Sequence, residues 1–468
     1  MTMNAITGAS GLLSRFHAMS RAELDALQLA KLRRQLIRVM AENGFYKARF
    51  EAAGVAPDRI RSVAEFRDRV PTMAKADCLA DQKANPPFGL RVGRPREEIV
   101  LMNLTGGTSG QGQEVFGRTN RDVALQGHLH YLPWTLAGLR RGDVALNCVP
   151  AGGLTTGGWG PTEGFRVAGA TSYPVGGTLS TDAKIDLMLR FGRIDFIYAS
   201  TSYLNTLTEA MRRRGVDPKT AFPMLRTLYT AAEAYPVEWA QRVEAFWGAK
   251  LHEGYGSTQA AGFGAGSCEG AIEGDGRGVM HVFEWHNVVE ILNPVTGEPV
   301  GPYEEGEIVL TNLDIVASPV IRFRTGDKAR IIPPGHEGRR AWIGIEAGTI
   351  GRIDDMMKIR GNNMWPSAVD GVVFRDERVS DYAGRVFTTA DGKTGVELRI
   401  ALRGEGLSLD EAGRRALLKR LAAEIKATTN VNMDLSVVDR SELPTYDYKS
   451  RRWKDERSDG YRTGALAQ

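Results

Sequence analysis

Between residues 143 and 250 the chain alternates apolar, strand-like runs with helix-like ones, and this limits the fold more than any other feature. Residues 143–149, 171–174, 196–199 and 225–230 read as strands. Residues 152–169, 183–191, 202–214 and 237–246 read as helices. Such alternation predicts an α/β domain built on a largely parallel sheet. Ligands of these sheets sit at the carboxyl ends of the strands.

Two segments fall at predicted strand ends. One is Tyr229-Thr230-Ala231-Ala232-Glu233. The other is Leu104-Thr105-Gly106-Gly107-Thr108-Ser109-Gly110-Gln111-Gly112-Gln113, which follows the apolar run 99–102. Three glycines and three hydroxyl side chains lie within residues 105–110. Glycine lets the backbone approach a ligand closely. Consecutive N–H groups with hydroxyls form a concave anion site, and a nucleoside triphosphate is the fitting guest. The loop is not a Walker motif, because no Gly-Lys-Ser/Thr follows at the required spacing. A plain glycine turn is the alternative for the loop taken alone.

The 468 residues are enough for two or three domains. The net charge of +4 is spread along the chain, without the basic tract of a nucleic-acid binder. Cys78, Cys148 and Cys268 are distant and odd in number, which suits a reducing cytoplasm better than a disulfide framework. Residues 1–20 lack the pattern of a signal peptide, and no apolar run is long enough to span a bilayer. Neither a nucleic acid nor a membrane is therefore an expected partner.

The rest of the chain fills in the organisation. Residues 21–50 carry a helical stripe of Leu29, Leu32, Leu36 and Val39. Residues 115–118 read as a strand and 120–139 as a helix whose His128 and His130 are expected to pack rather than bind metal. After His252-Glu253-Gly254-Tyr255-Gly256-Ser257-Thr258-Gln259 the pattern turns β-rich, with strands expected at 288–292, 307–311 and 320–324. Val396, Leu398, Ile400 and Leu402 alternate as a half-buried strand. Ser408 and Glu411 suggest a capping box for a helix over 409–428, striped by Leu417, Leu421 and Ile425.

Several motifs stand in a fixed order. They are Phe45-Tyr46 through Phe50-Glu51-Ala52-Ala53-Gly54-Val55, the glycine loop, Gly297-Glu298-Pro299 through Gly306-Glu307-Ile308-Val309, Phe323-Arg324-Thr325-Gly326-Asp327, and the segment 351–361. Together they make residues 30–457 resemble the adenylate-forming superfamily of acyl-CoA synthetases, adenylation domains and luciferases, most closely its phenylacetate–CoA ligase branch. The resemblance implies a large N-terminal domain (1–353) with mostly parallel sheets and a β-rich subdomain at about 265–350. A small, mobile α+β C-terminal lid (354–468) would follow. It also implies two half-reactions: a carboxylate attacks the α-phosphate of ATP to give an acyl-adenylate, and a thiol, usually that of CoA, displaces AMP.

By the same resemblance, Thr105, Gly107, Thr108, Ser109 and Gly110 bind the phosphates. Ala232, Glu233 and Tyr255 belong to the adenine slot, and Gly256 to the nucleotide site. Thr258 matches the motif that precedes the metal position, Asp327 holds the ribose and Arg352 assists at the ribose or phosphate. Lys449, in Leu443-Pro444-Thr445-Tyr446-Asp447-Tyr448-Lys449, is the catalytic cation, and Asp354 is the hinge. The segment Gly152-Gly153-Leu154-Thr155-Thr156-Gly157-Gly158-Trp159 matches a stretch lining the acyl site, and Trp159, Tyr235 and Phe263 are expected to form an aromatic acid pocket. Three positions depart from the pattern. Gln111 replaces a lysine, Tyr448 replaces a glycine, and Gln259 replaces the glutamate that holds Mg²⁺. An amide oxygen can ligate Mg²⁺ but brings no charge. Cys268, His281 and His336 lie in the β-rich region, yet structural zinc wants four N/S ligands and is not expected at these residues.

The expected function is ATP-dependent activation of an aryl or arylalkanoic acid followed by transfer to CoA. The alternatives are an amine or other non-CoA acceptor, or a non-catalytic nucleotide-binding relative. The expected cofactors are ATP, Mg²⁺ and CoA, the partners are small molecules, and a homodimer is the assembly considered.

Overall fold

The computed structural model describes residues 16–105, 112–231, 233–336, 340–353, 355–389, 392–444 and 452–457. Its centre is one continuous twelve-stranded mixed sheet. Strands Thr171–Gly176, Val144–Pro150, Phe196–Tyr198, Thr227–Ala231 and Lys250–Ser257 run parallel to one another. From there every pairing is antiparallel, through Gly262–Ser267, Val279–Val282, Gly344–Glu346, Phe323–Ile332, Glu305–Asn312 and Asn287–Leu292. Gly351–Arg352 pairs separately with Phe323–Ile332. The β-rich strands thus extend the parallel sheet without a break in hydrogen bonding. The change of direction falls at the hairpin of Lys250–Ser257 with Gly262–Ser267, whose turn carries Thr258 and Gln259.

The inner parallel strands bury both faces. Thr227–Ala231 and Phe196–Tyr198 are buried along their whole length, as expected for strands covered by crossover helices. Those helices are Thr156–Ala168, Thr181–Phe191, Thr201–Arg213 and Val237–Trp247.

Four expectations need correction. The helix expected over 21–50 is two helices, Arg21–Glu42 and Gly44–Ala52. Asn43 is extended between them and caps the second, its side chain accepting from the Tyr46 N–H at 3.2 Å. The strand expected from residue 99 is Leu101–Leu104, because a 3₁₀ turn at Arg96–Glu98 keeps Ile99 as its C-cap. The strand expected over 320–324 starts only at Phe323, because Arg322 has φ +46° and cannot continue a ladder. The last helix runs Glu411–Thr429 and is capped by Asp410, which accepts from the Gly413 N–H at 2.7 Å, not by Ser408.

The C-terminal residues build a separate four-stranded sheet in the order Asp434–Val438, Thr394–Leu402, Val379–Thr388, Trp453–Asp455. Leu417, Leu421 and Ile425 of the last helix pack on Val396, Leu398 and Ile400 in a core of their own. This unit docks on two crossover helices. Asn205 Nδ2 donates to Ser380 O at 3.0 Å, Arg403 pairs with Glu209, and Arg242 donates to Phe374 O. Among the described residues no helix is long and apolar enough to cross a membrane.

Candidate active site

The glycine loop closes a hairpin. Strands Leu101–Leu104 and Val115–Arg118 are antiparallel, with Leu104 opposite Val115. One step further, the Thr105 N–H donates to Glu114 O at 3.1 Å and the Glu114 N–H donates to Thr105 Oγ1 at 3.0 Å. The Thr105 hydroxyl is therefore the clasp of the loop. Gly107, Thr108, Ser109, Gly110 and Gln111 lie outside the described residues.

The hairpin base is held from two sides. Gln82, on helix Lys75–Ala84, accepts from the Val115 N–H at 2.9 Å and donates to Gln113 O at 3.1 Å. Arg118, fully buried, donates to Thr258 O at 2.7 Å. Gln259 Nε2 donates to Glu114 Oε1 at 3.1 Å. The turn expected at the metal is thus tied directly to the base of the phosphate loop.

Across the sheet, Tyr255 Oη donates to Asp327 Oδ2 at 2.8 Å, and Arg352 Nη1 donates to Asp327 Oδ1 at 2.9 Å. The sheet register makes this contact, since Asp327 and Arg352 are paired residues of adjacent strands. Gly326 turns at φ +72°, and a Cβ there would come within 3.0 Å of the Arg352 guanidinium. Gly256 is required for a similar reason, because a Cβ would meet Gly262 O at 2.7 Å.

Glu233 grips the start of helix Thr201–Arg213. Its carboxylate accepts from the Ser202 N–H and the Ser202 hydroxyl, both at 2.7 Å. A carboxylate at a helix N-terminus answers unpaired N–H groups and the positive end of the helix dipole. Ala232 and the expected hinge Asp354 lie outside the described residues, as does the expected catalytic Lys449. The flanks of the Lys449 segment are anchored. Leu443 is buried, and Arg452 donates to Asp381 at 2.9 Å.

The three aromatic residues expected in one acid pocket are not one wall. Phe263 is buried in a ring cluster with His130, Trp134, Tyr198 and Tyr229. Tyr235 belongs to a different cluster, against Trp239, and its hydroxyl donates to Glu253 Oε2 at 2.7 Å. Trp159 is half-buried on helix Thr156–Ala168. Among the described residues no ring contact joins the three. Tyr235 turns away because it satisfies Glu253, a carboxyl that burial pushes up to about 7 against the pull of Tyr235, the Gly348 N–H and Arg277.

Cys268 and His281 do meet, together with Glu269, with ligand atoms within 4.8 Å. His336 stands instead beside Tyr303. Arg340 Nη1 donates to Glu269 Oε1 at 2.6 Å and lies 3.3 Å from His281 Nε2. Arg340 thus supplies a positive partner to Glu269 in this cluster. Burial would raise Glu269, but the hydrogen bonds from His281 and Arg340 hold it down at about 2.

Glu114 and Glu253 are buried carboxyls beside the site that the motifs do not single out. Glu114 carries a signal nonetheless, since it is the first charged residue after the glycine loop.

Residues 41–316 match the family model described as AMP-binding enzyme, and 361–457 match the AMP-binding enzyme C-terminal domain. A phenylacetate–coenzyme A ligase of Aromatoleum evansii is 32% identical over 375 residues, covering 80% of each chain. Among solved structures, the fold is shared with 2-hydroxyisobutyryl-CoA ligase in its postadenylation state, at a TM-score of 0.83 and 23% identity over 95% of this chain and 92% of that one. The same ligase in its thioesterification state aligns at a TM-score of 0.67 and 24% identity, with the same coverage. With the two family models placed in this order over the sheet and the C-terminal unit, the chain belongs to the AMP-binding enzyme family, in the branch that holds the curated phenylacetate–coenzyme A ligases.

Proposed function

We propose that this chain is an ATP-dependent, AMP-forming ligase that joins a carboxylic acid to coenzyme A. The observation that carries the reading is the Tyr255–Asp327–Arg352 constellation at the point where the sheet changes direction, beside the clasped glycine hairpin. Asp327 presents a carboxylate of fixed orientation, suited to the two hydroxyls of a ribose. Glu233, anchored on Ser202, fixes the backbone beside the adenine.

In the first half-reaction a carboxylate oxygen of the acid bonds to the α-phosphorus as the bond to pyrophosphate breaks. The developing charge calls for donors and cations, a role that falls to the glycine loop and Lys449. In the second, the CoA thiol gives up its proton, its sulfur bonds to the acyl carbon, and AMP leaves. Magnesium, when bound with ATP, spreads the charge of the triphosphate. The donor set suits it, because the Gln259 amide is hydrogen-bonded to a buried carboxylate, Glu114.

An aryl or arylalkanoic acid is the proposed substrate class. Its support is the branch, together with the buried aromatic cluster around Phe263. The cytoplasm is the proposed compartment, where Cys78, Cys148 and Cys268, all free, stay reduced.

ATP–pyrophosphate exchange across a panel of aryl and aliphatic acids, followed by AMP release with and without CoA, tests the reading. Exchange with an aryl acid and CoA-dependent AMP release are expected. Exchange without CoA-dependent release would move the acceptor to an amine or another nucleophile. No exchange with any acid would make the chain a binding protein.

A further inference from the structure

Glu114 has more capacity to accept than the protein uses. Its side chain is 2% exposed, and two groups reach its carboxylate among the described residues. Gln259 Nε2 donates to Oε1 at 3.1 Å, and Lys75 Nζ stands 3.9 Å from Oε2, beyond hydrogen-bond distance. An ionised carboxylate offers about four acceptor sites. A buried one normally keeps its charge only when hydrogen-bonded or paired. One amide donor and one lysine at arm's length leave most of that capacity unspent.

The contact also fixes which way Gln259 faces. A carboxylate accepts and does not donate, so the NH₂ end of the amide must point at Glu114. The carbonyl end is then not engaged by Glu114 and is left to act as a neutral oxygen ligand. Glu114 is at the base of the phosphate hairpin, where its backbone pairs with Thr105. A carboxylate and an amide with an uncommitted carbonyl therefore sit together at the base of the hairpin. Magnesium sites that hold a nucleotide use one or two carboxylates with the phosphates.

We infer that Glu114 supplies the carboxylate of the divalent-cation site, with Gln259 as its neutral partner. The charge has moved from the turn after strand Lys250–Ser257 to the base of the glycine hairpin. This rests on the nucleotide-site reading above.

The probe is Mn²⁺, titrated by electron paramagnetic resonance onto the full chain with a non-hydrolysable ATP analogue. Metal-free AMP affinity is measured in parallel. Glu114→Gln is expected to weaken Mn²⁺ binding about tenfold or more, the usual loss when a group supporting a metal is removed. Its AMP affinity should stay within about twofold of wild type. The exchange Glu114→Gln with Gln259→Glu, which keeps an amide–carboxylate pair, is expected to restore Mn²⁺ binding. Unchanged Mn²⁺ binding in Glu114→Gln would overturn the inference. So would equal losses of AMP and Mn²⁺ that the exchange does not repair, since Glu114 would then only close the hairpin. If Glu114→Gln fails to fold, the exchanged pair carries the test alone: wild-type Mn²⁺ affinity supports the inference and a tenfold loss overturns it. A wild-type chain that binds AMP but no Mn²⁺ with the analogue overturns this inference and leaves the functional reading standing. One that binds neither overturns both.

Discussion

Asp327 is engaged at both oxygens before any ligand arrives, by Tyr255 at 2.8 Å and Arg352 at 2.9 Å. In the proposed ribose-binding role such a carboxylate loses little freedom on docking, which favours affinity. Asp327→Asn keeps the shape but loses the charge and one acceptor. Hydrogen bonds to a charged group are worth roughly 1.5–3 kcal/mol, so the KM for ATP should rise about 10- to 100-fold. Steady-state kinetics at saturating acid check this, and an unchanged KM would remove Asp327 from the nucleotide site. Glu253 sits one residue before the Gly254-Tyr255 pair, and burial raises its carboxyl from 4.5 to about 7. Between those pH values the folded protein keeps a proton that the unfolded chain releases. The stability it confers is complete below about pH 4.5, falls as pH rises through about 7, and is flat above. Glu253→Gln should flatten the decline of Tm across that window. A slope identical to wild type would contradict the assignment.

Helix Thr201–Arg213 is among the elements most legible in the sequence, its expected bounds of 202–214 lying one residue from the observed ones at each end. The parallel strands were legible for the same reason: short apolar runs buried on both faces leave an unbroken signature. What escaped was governed by single residues. Asn43 splits a continuous apolar stripe because its side chain serves the next helix. Arg322 stops a strand through one positive φ. In the candidate site, motif order singled out Asp327, Arg352 and Glu233, and the first two do meet, but Tyr235 and Phe263 are both aromatic and buried, and nothing local says that one serves a carboxyl and the other a ring cluster. The grip of Glu233 on the first turn of Thr201–Arg213 was equally invisible, being a contact between residues 31 apart. Glu233→Gln replaces a charge at that helix end with a dipole. It should cost about 1 kcal/mol of stability and raise the KM for ATP several-fold. Thermal melts with kinetics decide, and a loss of stability without a change in KM would make the grip purely structural.

The C-terminal unit rests on the same helix further along. Asn205 bonds to Ser380 at 3.0 Å and Glu209 pairs with Arg403. These contacts hold the unit in one docked arrangement. Glu209→Gln removes the partner of Arg403 and should loosen this docking by about 1 kcal/mol or less. Adenylation should slow by up to about fivefold, while transfer from a supplied acyl-adenylate to CoA holds or quickens. Equal loss in both half-reactions would show that the pair does not belong to one arrangement. Helix Thr201–Arg213 thus carries the Glu233 anchor at its N-terminal end and the docking contacts of Asn205 and Glu209 further along. Whatever docking of the C-terminal unit adds to nucleotide affinity through that helix, the nucleotide must return in full as preference for the docked arrangement, because coupling between two equilibria is reciprocal. Release of AMP and release of the C-terminal unit are then two readings of one coupling constant, and a change on either side of the helix is felt by the same factor on the other.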